Sequence, residues 1–149
     1  MGMKLDGVVD LMKQFDDLEE NMDGFIKACA KDIAALLLRK TMQKTPVGQY
    51  PLSSGKKGGT LRRGWTGGVT KSATNYAKTL DVKRIGDDYQ VTVSNPVEYA
   101  SYVEYGHTTT NGWWVDGQFM LKLSVKEVDN LTEALIERKI RKFIKEYKW

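Results

Sequence analysis

A single cysteine, Cys29, and a single histidine, His107, leave this sequence little material for thiol or metal chemistry. One Cys builds neither a disulfide framework nor a cysteine-based zinc site, and one Cys with one His leaves little room for a Cys–His catalytic pair. Long apolar runs are also missing, and no stretch approaches the roughly 18 residues that cross a membrane. The opening MGMKLDGVVDLMKQFDD is acidic and lacks a basic-then-apolar layout, so it does not read as a secretory leader, and an intracellular protein is expected. Catalytic patterns are scarce as well. No Ser lies in a G-x-S-x-G setting. Asp87-Asp88 fall in an expected turn, where such residues serve the turn. GKKGG resembles part of a phosphate-binding loop, but the G-x-x-x-x-G-K-[ST] pattern is absent. The sequence offers no convincing catalytic, metal or cofactor site, and the chain reads as not an enzyme.

What is present is ordinary for a folded domain. The 149 residues suit one domain, 1–149, and 41% hydrophobic with 28% charged residues excludes wholesale disorder and collagen-like repeats. The net charge of +4 is unevenly spread: residues 1–23 carry −5, residues 24–84 carry +11, and residues 85–149 carry −2. A basic middle between acidic flanks suits a polyanion partner, head-to-tail contact between copies, or simply a solvated basic loop.

Apolar residues from Val8 to Leu37 recur at steps of three and four, which predicts a long helix over 8–43, with Gly24 as a point where it could bend or divide. Cys29 lies on that stripe and reads as a small buried hydrophobe. Pro46 disfavours helix at Thr45, so the helix stops near Gln43 or Lys44. Residues 45–60, rich in Gly, Pro, Ser and Thr, predict a long loop, expected to be poorly ordered in the isolated protein. LRRGWTGGVT (61–70), TLDVKRI and YQVTV read as strands, the last two joined by a Gly86-Asp87-Asp88 turn. VEYASYVEYG predicts a short helix stopped by Gly106, with Val97, Ala100 and Tyr102 or Val103 as its apolar face. Residues 107–118 read as a second loop, and from Phe119 the period is helical to the end, with a break considered near Asp129-Asn130. The expected fold is α+β: an antiparallel β-sheet packed by a long N-terminal, a short central and a long C-terminal helix.

Two groups of side chains stand out as candidates for contact. Lys56, Lys57, Arg62, Arg63 and Trp65 form a basic-aromatic stretch of the kind that holds nucleic acid, though without any recognisable helix-turn-helix, RNP or zinc-finger pattern. Trp113 and Trp114 sit side by side in a Gly-bounded loop, as either a cap on the core or an interface anchor. With Phe119 and Met120 they make a candidate apolar docking patch. Arg62 and Arg63 are also candidates to pair with Glu104, within a subunit or across a contact, and His107, just past the helix-ending Gly106, suits a helix-dipole partner.

The ordered series KTPVG…GGTLRRGW, VTVSNPVEYASYVEYGH and WWVDGQFMLKLSVKEV resembles the neck or tail-completion morphogenesis proteins of tailed bacteriophages. The matching positions are Pro46, Val47, Leu61 and Arg62, then Tyr99, Ala100, Val103, Glu104 and Gly106. Val115, Gly117, Phe119 and Met120 are similar to the subset from Gram-positive phages and prophages. The likeness spans roughly residues 28–128. The stretch from Pro46-Val47 to Leu61-Arg62 is longer here than in that family. The resemblance implies a structural protein of the virion neck or tail, assembled in the host cytoplasm with other head–tail connector and tail proteins. It also implies a homo-oligomeric ring, for which Arg62, Arg63, Trp65, Glu104, His107, Trp113, Trp114, Phe119 and Met120 are the candidate interface residues. A small basic nucleic-acid-binding module is the alternative from another class, and a small hydrolase ranks last.

Overall fold

The computed structural model describes residues 5–49, 51–56, 58–68 and 72–147. Two long helices set its frame. The apolar period of the N-terminal region lies on one helix, α1 (Leu5–Lys44), whose 40 residues make it about 60 Å long. Gly24 does not divide it. One helical glycine costs only about 1 kcal/mol relative to alanine, which packing of the flanking turns offsets. At the other end of the chain, α5 (Met120–Glu146) runs unbroken through Asp129-Asn130. The two helices pack antiparallel. Phe25 meets Phe143 with ring centroids 4.6 Å apart, Asp32 pairs with Lys139, and Lys44 reaches Glu127 at 3.0 Å. These ion pairs are exposed and contribute little individually, so apolar packing along the seam holds the pair together.

The core lies where shorter elements meet the C-terminal half of α1. Ala34, Ala35 and Leu38 of α1 pack with Leu61 and Trp65, with Ala73 and Ala77, and with Met120, all no more than 6% exposed. Cys29 is buried as expected, and burial pushes its thiol pKa up, away from reactivity.

The segment expected as a strand over 61–70 is instead helical where described. It forms α2 (Thr60–Gly64) and then a turn, while Val69 and Thr70 lie outside the described residues. Leu61, Gly64 and Trp65 stand at helical spacing and are buried together. Gly64 permits the close approach, because a Cβ there would clash with the side chain of Asn95. The Asn95 side-chain amide donates to the Leu61 carbonyl at 2.7 Å and its oxygen accepts from the Val97 N–H at 3.1 Å, locking α2 to the chain that crosses it.

The loop between α1 and α2 is present, broken only by a 3₁₀ turn at Leu52–Ser54; its residues 50 and 57 lie outside the described residues. A helix not foreseen, α3 (Ala73–Ala77), starts at Ser72, whose hydroxyl accepts from the Asn75 N–H at 3.1 Å.

The hairpin about Gly86-Asp87 is as expected but short: β1 (Lys83–Ile85) pairs antiparallel with β2 (Asp88–Gln90), Ile85 opposite Asp88. Val91 and Val93 leave the ladder yet still pack on the core. Tyr89 ties this hairpin to α1, its hydroxyl donating to Asp23 at 2.7 Å. The short central helix, α4 (Ala100–Tyr105), packs Ala100 and Val103 inward and ends at Gly106, as expected. Expected loop 107–118 contains a second antiparallel hairpin, β3 (Gly106–Thr108) with β4 (Trp114–Asp116). The fold is thus α+β with antiparallel strands, divided between two small hairpins rather than joined in one sheet. Among the described residues no helix is long and apolar enough to cross a membrane.

Candidate interaction surface

The Trp113-Trp114 hairpin is mounted on α4 with little freedom. Gly106, at φ +89°, turns the chain directly from the helix into β3, a conformation that side chains rarely adopt. The His107↔Val115 and Thr108↔Trp114 pairs follow, and the Thr109 N–H closes the tip onto the Trp113 carbonyl at 2.7 Å. The chain leaving β4 is strapped back: the Gln118 N–H donates to the Val103 carbonyl at 2.7 Å and the Phe119 N–H to the Glu104 carbonyl at 3.0 Å. Glu104 then finishes the junction. Its carboxylate, in a residue 8% exposed, accepts from the N–H groups of Leu121 and Lys122 at 2.9 and 3.0 Å. A helix start leaves its first N–H groups without intrahelical partners, and an anion there also meets the positive end of the helix dipole.

On this mount sits a set of exposed aromatic rings. Trp113 is 74% and Trp114 61% exposed, and Trp114 Nε1 donates to Asp116 at 2.9 Å without being covered. Tyr102 and Tyr105 on α4 are 59% and 66% exposed, and Tyr99 and Phe119 add further apolar surface. Sequence reasoning named Tyr99 only as a family-matching position and Tyr102 as the alternative to Val103 on the inner face; Val103 packs on the core and Tyr102 faces out. The signal was available, since Tyr99, Tyr102 and Tyr105 recur every third residue and so share one side of the short helix.

The other candidates divide. Trp65 and Met120, 4% and 0% exposed, are core residues, so the docking patch does not extend to them. Trp65 Nε1 donates to the Thr45 hydroxyl at 2.9 Å, a buried bond that explains why an indole suits that place. Phe119 stands at the α5 N-cap with φ +48°, outside the core. His107 lies half-buried with its ring 5.6 Å from that of Tyr102. Arg62 donates to the Thr45 carbonyl at 2.9 Å and Arg63 to the Gly58 carbonyl at 3.2 Å, so within the subunit both guanidinium groups serve their own loop and neither pairs with Glu104. Lys57 lies outside the described residues. Among the described residues no group of three or more His, Cys, Asp or Glu is placed to hold a metal ion.

The hairpin and its aromatic flank can bury apolar area against another protein. Comparison with known families agrees in kind. Residues 10–106 match the sequence model of the family described as "Bacteriophage HK97-gp10, putative tail-component". The matched span ends at Gly106, before the Val115 to Met120 stretch on which the likeness to Gram-positive phages rests, so it supports the family and not that subset. Neither the curated proteins nor the solved structures include a match to this chain.

Proposed function

Because the chain belongs to the HK97-gp10-like family of bacteriophage tail components, we propose that it is a non-enzymatic morphogenesis protein of the head–tail junction or of tail completion, working as a ring of identical subunits. Its place is then the virion neck or tail, with assembly in the host cytoplasm. The observation that carries this reading is the exposed Trp113-Trp114 hairpin on its stiff mount. Large rigid aromatic side chains dominate the energetics of protein contacts, and a soluble monomer gains nothing by holding two indoles in water. Other head–tail connector and tail proteins are the partners that such a surface serves.

The test is complementation of a phage or prophage deleted for this gene, with particles counted by electron microscopy. The wild-type gene restores joined particles. The Trp113→Ala, Trp114→Ala double variant, folded by circular dichroism, leaves separate heads and tails. Joined, infectious particles at wild-type numbers from the deletion itself would refute the function, and the same result from the double variant alone would refute the role of the hairpin.

A further inference from the structure

The two ends of the α1–α5 pair differ in charge. α5 stops at Glu146, beside Asp17, Glu20 and Asn21 of α1. The three turns of α1 that precede Asp17 run on beyond that end for about 18 Å. This projecting piece is acidic: residues 5–20 hold Asp6, Asp10, Asp16, Asp17, Glu19 and Glu20 against the single cation Lys13. Asp16, Asp17, Glu19 and Glu20 are exposed, and among the described residues none of the four is in an ion pair. Its apolar residues continue the helical period, with Val8, Leu11, Phe15 and Leu18 falling three or four apart.

Farther along the same pair lies the complement. A groove of about 460 Å³ between α1, α3 and α5 is lined by the apolar Ala35, Leu36 and Leu135 and by the exposed cations Arg39, Arg138 and Lys142. Its Lys139 is already paired with Asp32, whereas the other three cations form no ion pair among the described residues. Apolar lining with a cationic edge suits an amphipathic helix with an apolar stripe and acidic flanks. A copy cannot fill its own groove, because on an unbroken helix Asp16 stands about 30 Å from Leu36.

We propose that the acidic stretch of α1 that carries Asp16, Asp17, Glu19 and Glu20 of one copy lies in the α1–α5 groove of the next copy, its carboxylates against Arg39, Arg138 and Lys142. The two surfaces differ, so the contact is head-to-tail, and it closes a ring when its rotation permits. It gives the ring reading a specific interface and rests on that reading. A cationic groove also attracts a polyanion such as DNA. The exposed carboxylates of Asp16, Asp17, Glu19 and Glu20 on the same chain, none of them in an ion pair among the described residues, favour a second copy.

Charge reversal tests this on the full chain. One variant carries Asp16→Lys, Asp17→Lys and Glu20→Lys, and the other Arg39→Glu, Arg138→Glu and Lys142→Glu. Sedimentation reads association, with circular dichroism as the check on folding. Wild type self-associates, and less so in high salt. Each variant alone raises the dissociation constant roughly tenfold or more, since attraction becomes repulsion. Mixing the two restores association, because each then offers what the other lacks. If the reversals hinder folding, Asp16→Asn with Asp17→Asn and Arg138→Gln with Lys142→Gln weaken association in the same direction. A wild type that stays monomeric overturns the proposal, as does association untouched by either reversal, or a groove reversal that abolishes DNA retention alone. Particle joining, scored separately in the complementation assay, shows whether the head–tail reading survives such a result.

Discussion

Glu104 caps the helix that begins beside Leu121: its carboxylate accepts from the Leu121 N–H at 2.9 Å and from the Lys122 N–H at 3.0 Å. One side chain of α4 thereby fixes the start of α5, with the β3–β4 hairpin held between them. Glu104→Ala should cost about 1–3 kcal/mol, the range for removing a charged partner from buried donors. Glu104→Gln should cost less, because its amide oxygen still accepts one bond. Denaturant unfolding measures both, and an alanine variant as stable as wild type would show that water replaces the cap freely.

Gly64 gives a test with opposed terms. In an exposed helix Gly→Ala stabilises by about 1 kcal/mol. Here a Cβ would push into Asn95, whose side chain bonds both Leu61 and Val97. Overpacking of this kind costs about 1–3 kcal/mol, so Gly64→Ala should be net destabilising. A rise in thermal midpoint would mean that the Asn95 clamp yields without loss.

The long helices were legible because their period persists over many turns, from Val8 to Leu37 and from Leu121 to Tyr147. Gly106 as a stop and Gly86-Asp87 as a turn were equally clear. The middle of the chain was not. Leu61, Gly64 and Trp65 mark less than two turns, too few to outweigh the Gly67-Gly68 pair that made the segment look like an interrupted strand. The β3–β4 hairpin was read as loop because its strands are three residues each and their register depends on straps from Val103 and Glu104. Glu104 was visible as a charge, but its partners are backbone groups 17 and 18 residues later, which no local pattern reveals.

Acid should loosen the attachments to α1. Hydrogen bonds from Lys44 and Lys40 hold the Glu127 carboxyl below its usual range, and the Tyr89 hydroxyl, then Lys27, do the same for Asp23. Both folded pKa values lie below the unfolded ones. Their contribution is therefore present above about pH 4 and lost as pH falls through the lowered values. Tyr89 is shifted the other way, raised chiefly by its bond to Asp23, so its contribution is lost only as pH rises through that raised value. Thermal midpoints at pH 7 and pH 3 check the acid limb. Asp23→Asn with Glu127→Gln should lower the midpoint at pH 7 and narrow the drop to pH 3. An undiminished drop would place the acid sensitivity elsewhere.

The tryptophans should separate by what each one touches. Trp65 is 4% exposed, donates to Thr45 and packs with Leu38 and Met120 in the core cluster. Trp65→Ala leaves a cavity and removes the N–H from which the Thr45 hydroxyl accepts, although that hydroxyl still donates to the Thr41 carbonyl at 2.7 Å, and should cost about 3–5 kcal/mol. Trp65→Phe fills most of that space but still forfeits the buried bond, so its cost should be roughly 1–3 kcal/mol. Trp113 and Trp114, 74% and 61% exposed, bury little against their own chain. Alanine at either should change stability by no more than about 0.5–1 kcal/mol. In a Trp149→Phe background, which removes the fourth tryptophan, iodide should quench their emission while leaving that of Trp65 largely untouched, since a collisional quencher reaches only rings in contact with water. In assembled particles quenching of the hairpin pair should fall, because a docked indole loses that contact. Equal destabilisation by all three alanine substitutions would make the hairpin part of the core, and undiminished quenching in the particle would leave it without a partner.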